Sequence, residues 1–211
     1  MQGVHEVQRQ RLVERIRAST QIEDERILQA FASVPRHVFL SEAQLDIAYE
    51  DRAVPLGEGQ TVSQPSMIAI MLSELSCQPN QRALEVGAGS GYAAALLGHL
   101  VREVYAVEVL PALAALAHEN LKRSGASNVH VALGNGSFGL AAHAPYDRIL
   151  VSAAPSEVPG ALIEQLAPGG KIAIPVGDAH NQTLLLGEKT STGELSWRRS
   201  VPCIFVPLVS G

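Results

Sequence analysis

The run Glu85-Val86-Gly87-Ala88-Gly89-Ser90-Gly91 has the composition of a ligand cradle. Glycine lets a backbone pass close to a bound molecule with no side chain between them. The run follows an apolar stretch, 83–86, and opens an alanine-rich one, 92–100. A turn at such a junction places amides at a helix N-terminus, where polar ligand atoms can be held. The glycines fall in G-x-G-x-G order, with a carboxylate two residues before the first. A dinucleotide fingerprint reads G-x-G-x-x-G, so the spacing disfavours a nicotinamide oxidoreductase. A tight strand-to-helix turn without a ligand would use the same glycines.

The G-x-G-x-G variant, with Glu85 before it, resembles the loop of S-adenosylmethionine-dependent methyltransferases. Ligands in open α/β sheets lie beyond the carboxyl ends of the strands, so the next strand tips matter. Glu108 lies 21 residues after Gly87, with Val109 beside it. A carboxylate there can accept bonds from both ribose hydroxyls of an adenosine; it also reads as a solvated charge opening the next helix. Asn135, between Gly134 and Gly136, offers a donor and an acceptor to an adenine edge, or forms a plain turn. Ser152-Ala153-Ala154-Pro155 could floor the site beneath a sulfonium. Methyl transfer to an anionic acceptor needs positioning and exclusion of water more than acid–base groups. The absence of a convincing His–Asp pair therefore does not count against an enzyme.

The elements that must position these residues alternate. Strand-like runs at 83–86, 104–107, 129–132, 149–153 and 171–176 are interleaved with helix-like runs at 92–100, 112–123 and 158–166. That order implies right-handed crossovers, an α/β fold and a mostly parallel sheet. Runs at 183–188 and 197–206 flank a turn at 190–193 and predict an antiparallel C-terminal hairpin, giving seven strands. Upstream, Val7, Leu12, Val13 and Ile16 fall at helical spacing within 6–18, and Ile27, Leu28, Phe31 and Val34 share one face of a second helix. Pro35 ends that helix. Residues 36–65 read as loop, and 66–75 as a buried helix. Pro168-Gly169-Gly170 reads as a tight turn before the fifth strand.

A chain of 211 residues can build one domain with a substantial core. Residues 1–78 would form helices and a covering loop, and 79–211 the ligand-binding core. A net charge of −5, with no Lys or Arg block, argues against a nucleic-acid partner. The polar start shows no secretory segment and no apolar run reaches the length of a membrane span, so a cytoplasmic protein is expected. Cys77 and Cys203 lack metal-ligand spacing and are expected as reduced thiols, and no metal site is expected.

The segment before the glycine loop narrows the chemistry. Ala48-Tyr49-Glu50-Asp51 and then Gly57-Glu58-Gly59-Gln60-Thr61-Val62-Ser63-Gln64-Pro65 strongly resemble the A-Y-x-[DN] and G-x-G-Q-T-[IV]-S-Q-P segments of protein-L-isoaspartate O-methyltransferases. Val34-Pro35-Arg36, Ala144-Pro145-Tyr146-Asp147, Pro175-Val176-Gly177 and Phe205-Val206-Pro207-Leu208 extend the likeness from about residue 10 onward. The resemblance implies a doubly wound, Rossmann-like methyltransferase sheet. It implies a repair enzyme, expected as a monomer. The methyl of S-adenosylmethionine would pass to the free carboxylate of L-isoaspartyl residues in damaged proteins or peptides, leaving S-adenosylhomocysteine. The ester would close to a succinimide that partly hydrolyses to aspartate. By the same resemblance Ser63 is the active-site hydroxyl, which can donate a hydrogen bond that orients the acceptor carboxylate. Gln60, Thr61 and Val62 would cover the cofactor together with Glu85, Gly87, Gly89, Ser90, Gly91, Glu108, Val109, Asn135 and Gly136, and Val206 would help hold the isoaspartyl main chain. Without the family, Ser63 and Thr61 read as turn or cap hydroxyls.

Two positions depart from the family pattern. Asn135 stands where G-D-G is usual, which keeps an acceptor oxygen and removes a charge. Ser66 stands where an aromatic residue or His often follows Q-P. They motivate two other readings: a carboxyl methyltransferase with a diverged acceptor, or a non-catalytic S-adenosylmethionine-binding module.

Overall fold

A computed structural model describes residues 2–209. Helices α1 (Gln2–Thr20) and α2 (Glu25–Ser33) come first. Asp24 starts α2, its side chain accepting from the Arg26 amide, one of the donors a helix start leaves unpaired. Helix α3 (Pro65–Leu75) follows the covering segment; its proline at the first turn removes an amide that would have had no partner.

The remaining chain winds β3 (Arg82–Val86), α4 (Tyr92–Gly98), β4 (Glu103–Glu108), α5 (Pro111–Ser124), β5 (Val129–Leu133), β6 (Tyr146–Val151), α6 (Gly160–Glu164), β7 (Leu166–Gly177), β8 (Gln182–Lys189) and β9 (Leu195–Cys203). The strand order β5-β4-β3-β6-β7-β8-β9 makes a seven-stranded sheet. Pairs from β5 through β7 are parallel, whereas β7–β8 and β8–β9 are antiparallel. The strand order reverses between β3 and β6, and such a switch point opens a crevice beyond the strand tips.

Both sheet faces are covered. On one, Leu12, Ile16 and Phe31 of the N-terminal helices share an apolar cluster with Leu96, Leu150 and Leu184. On the other, Leu162 of α6 joins Leu84, Val86, Ile149 and Ile172. Among the described residues no helix is long and apolar enough to cross a membrane.

Several boundaries differ from the sequence expectation. Residues 36–65 are more ordered than a loop. They hold two short 3₁₀ turns, Arg36–Phe39 and Glu42–Ile47, and a small antiparallel hairpin, β1 (Val54–Gly57) with β2 (Gln60–Val62). At its tip Gly57, Glu58 and Gly59 all have positive φ, a backbone region glycine enters without strain. Strands of three and four residues are too short to show a period. Strand β6 begins at Tyr146, earlier than expected, because this buried residue already pairs with Leu166. Strand β7 runs through Pro168-Gly169-Gly170; the ladder to β6 shifts register there and Gly169 adopts φ 77°, so an irregular strand replaces the turn. The ladder of β9 stops at Cys203. Residues beyond it cross to the tip of β6, where Pro207 makes a parallel bridge with Ala154.

Candidate active site

A cavity of about 730 Å³, mouth included, opens at the switch point. Its floor is the glycine loop between β3 and α4, and the tip of β4 makes one wall. β2 with Ser63 and the segment after β9 also line it. Gln60, Thr61, Val62, Ser63, Glu85, Gly87, Gly89, Ser90, Glu108, Val109, Gly136 and Val206 line it, so twelve of the expected residues converge.

Two do not. Gly91 is the N-cap of α4 with φ 87°, and a side chain there would meet Leu121 Cγ at 3.0 Å. It lets α4 pack close to α5 rather than facing the cavity. Asn135 turns its side chain back: Oδ1 accepts from the Ser137 amide at 2.9 Å and from Ser137 Oγ at 2.7 Å. Its acceptor caps a short 3₁₀ turn, and Asn135 is not among the residues lining the cavity. The neighbouring Gly136 does line the cavity, and a Cβ there would collide with Val86 Cγ1.

The loop also differs from a nest of free amides. Gly87 and Ala88 both donate to Val107 O, at 2.9 and 3.2 Å, and Gly91 donates to Ala88 O at 2.7 Å. Gly89 donates to Glu108 Oε2 at 2.8 Å. The glycines thus supply a close-lying backbone surface more than anion-binding donors. Glu108, buried at this tip, also accepts from the Val109 and Leu110 amides, at 2.9 and 3.0 Å, through Oε1. Three amides occupy three of the roughly four acceptor positions a carboxylate has, leaving capacity toward the cavity.

Glu85 is the electrostatic anomaly. It is 1% exposed, and Ser152 Oγ donates to its Oε1 at 2.9 Å. Oε2 has no partner among the described residues. Burial pushes the carboxyl up to about 8, against the opposing pull of the Ser152 hydrogen bond. A buried carboxyl with a free oxygen on a cavity wall is poised to receive a cation or a donor.

A second cavity shares Thr61, Ser63, Ser152 and Val206 with the first and continues toward Gln64 and Met67. Ser63 and Val206 therefore stand at the junction of the two. Among the described residues no group bonds the Ser63 hydroxyl. Val206 is fixed through its backbone: its carbonyl accepts from the Ala154 amide at 2.8 Å, while Leu208 donates to Ala154 O at 2.9 Å. Cys203 borders this second cavity, but burial pushes its thiol up to about 11, which keeps it protonated near neutral pH and unsuited as a nucleophile.

Sequence reading missed the apolar lining, including Ile68, Tyr92 and Leu113. Each looks like an ordinary core position on an amphipathic helix. Only their place in the first turns of α3, α4 and α5, all starting near the switch point, could have flagged them.

A doubly wound sheet ending in an antiparallel hairpin, with an acidic G-x-G-x-G loop at its switch point, is the architecture of the Rossmann-like methyltransferases. Within that class the chain belongs to the protein-L-isoaspartate (D-aspartate) O-methyltransferase family, whose model matches residues 7–211. It is 49% identical over 205 residues to a protein-L-isoaspartate O-methyltransferase of Methanopyrus kandleri, an alignment covering 95% of this chain and 91% of that one. A solved protein-L-isoaspartate O-methyltransferase superposes with a TM-score of 0.86 at 29% identity; the match covers 96% of this chain and 66% of that longer one. A putative protein-L-isoaspartate O-methyltransferase from Plasmodium falciparum, solved in complex with S-adenosyl-L-homocysteine, superposes with a TM-score of 0.83 at 26% identity, covering 95% and 97% of the two chains.

Proposed function

We propose that this chain is a protein repair enzyme that moves a methyl group from S-adenosylmethionine to the free carboxylate of L-isoaspartyl residues in damaged proteins, with S-adenosylhomocysteine as product. Family membership and the names of its relatives support the acceptor, and the Plasmodium falciparum structure supports the cofactor. The observation that carries the reading is the Ser63 hydroxyl at the junction of two cavities, one lined by the glycine loop and the other by Gln64, Met67 and Cys203.

The residues present fit an adenosyl sulfonium ligand. Glu85 offers an unpartnered buried oxygen, Glu108 keeps acceptor capacity at the β4 tip, and Gly136 puts bare backbone on the cavity wall, where a Cβ would collide with Val86. When bound, S-adenosylmethionine supplies an electrophilic methyl carbon. The protein's own residues then position and exclude. Gln60, Thr61 and Val62 cover the cavity, Glu85 and Glu108 hold polar or cationic ligand groups, and the apolar lining keeps water out. Ser63 donates to one acceptor oxygen, leaving the other free to attack in line. No side chain has to remove a proton, because an isoaspartyl carboxyl is already ionised near neutral pH. Val206 and its neighbours offer backbone groups to an extended peptide, which favours tolerance of sequence around the damaged residue.

In this reading residues 1–78 and 79–211 are the covering and cofactor-binding parts of one domain, and the protein works as a cytoplasmic monomer on peptides rather than nucleic acid. Paired peptides test the acceptor. The isoaspartyl peptide should take up methyl ester and its aspartyl twin should not; equal labelling of both, or of neither, would sink the assignment.

A further inference from the structure

The acceptor side of the site is held by residues that never reach it. Arg36 is fully buried, an expensive place for a guanidinium unless its donors are met. Among the described residues no carboxylate pairs with it. Instead Nη1 donates to Ala48 O at 2.8 Å and Glu50 O at 3.0 Å, and Nη2 donates to Arg52 O at 3.0 Å and, at a longer 3.4 Å, to Ser63 O. Four carbonyls from one covering segment converge on one cation. They meet its Nη donors only while that segment keeps this shape; Nε is buried without a partner among the described residues.

The carbonyls at 50 and 52 flank Asp51, which repeats the device one step nearer the reaction. Its Oδ1 accepts from the Ser66 amide at 2.8 Å and its Oδ2 from Gln64 Nε2 at 3.1 Å. Those partners, Gln64 and Ser66, bracket Pro65, and Gln64 directly follows Ser63. The guanidinium also lies 5.6 Å from the centroid of the Tyr92 ring, and Tyr92 lines the cofactor-side cavity. We propose that Arg36 and Asp51 are positioning residues for methyl transfer: Arg36 fixes the segment that carries Asp51, and Asp51 fixes the 64–66 backbone that aims Ser63. Because Asp51 grips the amide of residue 66, the clamp is indifferent to the unusual serine side chain there.

This inference rests on the acceptor reading above, and its test keeps the two apart. In the intact 211-residue chain, Asp51→Ala should raise amide exchange across 63–66 about tenfold while 87–91 stays within about twofold, since the opening is local. Turnover of an isoaspartyl peptide should fall about 10- to 100-fold, with S-adenosylmethionine affinity kept within about threefold, as expected for a group displaced from its productive position. Asp51→Asn should recover most of the turnover, because its amide oxygen still accepts from Ser66. Arg36→Lys, which cannot fork to four carbonyls, should repeat the Asp51→Ala pattern with a lower unfolding midpoint. In a Ser63→Ala background Asp51→Ala should cost nothing further. Unchanged exchange at 63–66, or an equal loss of turnover with and without Ser63, would overturn the clamp. Were the wild-type chain inactive on the isoaspartyl peptide, the acceptor reading would fall and the exchange measurement would still decide the clamp.

Discussion

Ser63 is small, its hydroxyl has no partner among the described residues, and its value comes from where it stands. If it orients the acceptor, Ser63→Ala should lower turnover about 10- to 100-fold and leave S-adenosylmethionine affinity nearly unchanged, read by steady-state kinetics beside calorimetry. A large loss of cofactor binding would place Ser63 on the cofactor side instead. Glu85 invites a different measurement. An unperturbed glutamate titrates near 4.5, whereas burial raises Glu85 to about 8. Between those values the folded chain holds a proton that the unfolded chain has released. Stability of the ligand-free protein from this group is therefore complete below about 4.5 and is lost as pH rises through about 8. Urea unfolding at pH 5.5 and 8.5 should show that decline in wild type and a smaller one in Glu85→Gln. A cationic ligand favours the ionised carboxylate, so S-adenosylmethionine binding near neutral pH should release a proton. Calorimetry in two buffers of different ionisation enthalpy would detect the release, and Glu85→Gln should abolish it.

Elements explain which glycines and caps matter. Gly91→Ala would force a side chain at φ 87° against Leu121, so it should cost about 1–3 kcal/mol of stability with little effect on cofactor affinity in the fraction that folds. A tenfold affinity loss without a change in unfolding midpoint would return Gly91 to the binding surface. Asn135→Asp keeps the acceptor that caps the 3₁₀ turn, and both residues cap well, so cofactor affinity should stay within about threefold. The alternation of β3 to β7 with helices was legible because short apolar runs recur between longer runs of helical character, and the strand tips followed from it. Thus Glu85, Glu108 and Gly136 could be placed on one crevice from order alone. The hairpin β1–β2 was not legible, since Pro55 and the Gly57–Gly59 tip look like loop. Nor was the direction of Asn135, because a turn residue bonding its own neighbours and one facing a ligand share the same letters. Ser63 and Val206 became legible only through family likeness; nothing in their spacing says that residues so far apart meet.

At the scale of the whole molecule, the N-terminal helices and the sheet share one apolar cluster. Leu12 is 1% exposed in α1, far in sequence from Leu184 of β8, yet both belong to it. Leu12→Ala should therefore destabilise the entire fold, by about 2–5 kcal/mol, instead of loosening α1 alone. Trp197 fluorescence on β9 and far-ultraviolet circular dichroism should report one coincident transition in denaturant. Early melting of the helices would contradict the shared core. The bridge from Pro207 to Ala154 has its own consequence. One wall of the site comes from the covering segment near residue 63 and another from residues beyond β9, made long afterwards during synthesis. A nascent chain that has already released its glycine loop from the ribosome still lacks the segment that closes the acceptor side. Activity should thus appear only when translation has carried residues 204–208 clear of the exit tunnel, and a prematurely stopped product ending within β9 should leave no partial enzyme to modify proteins at random.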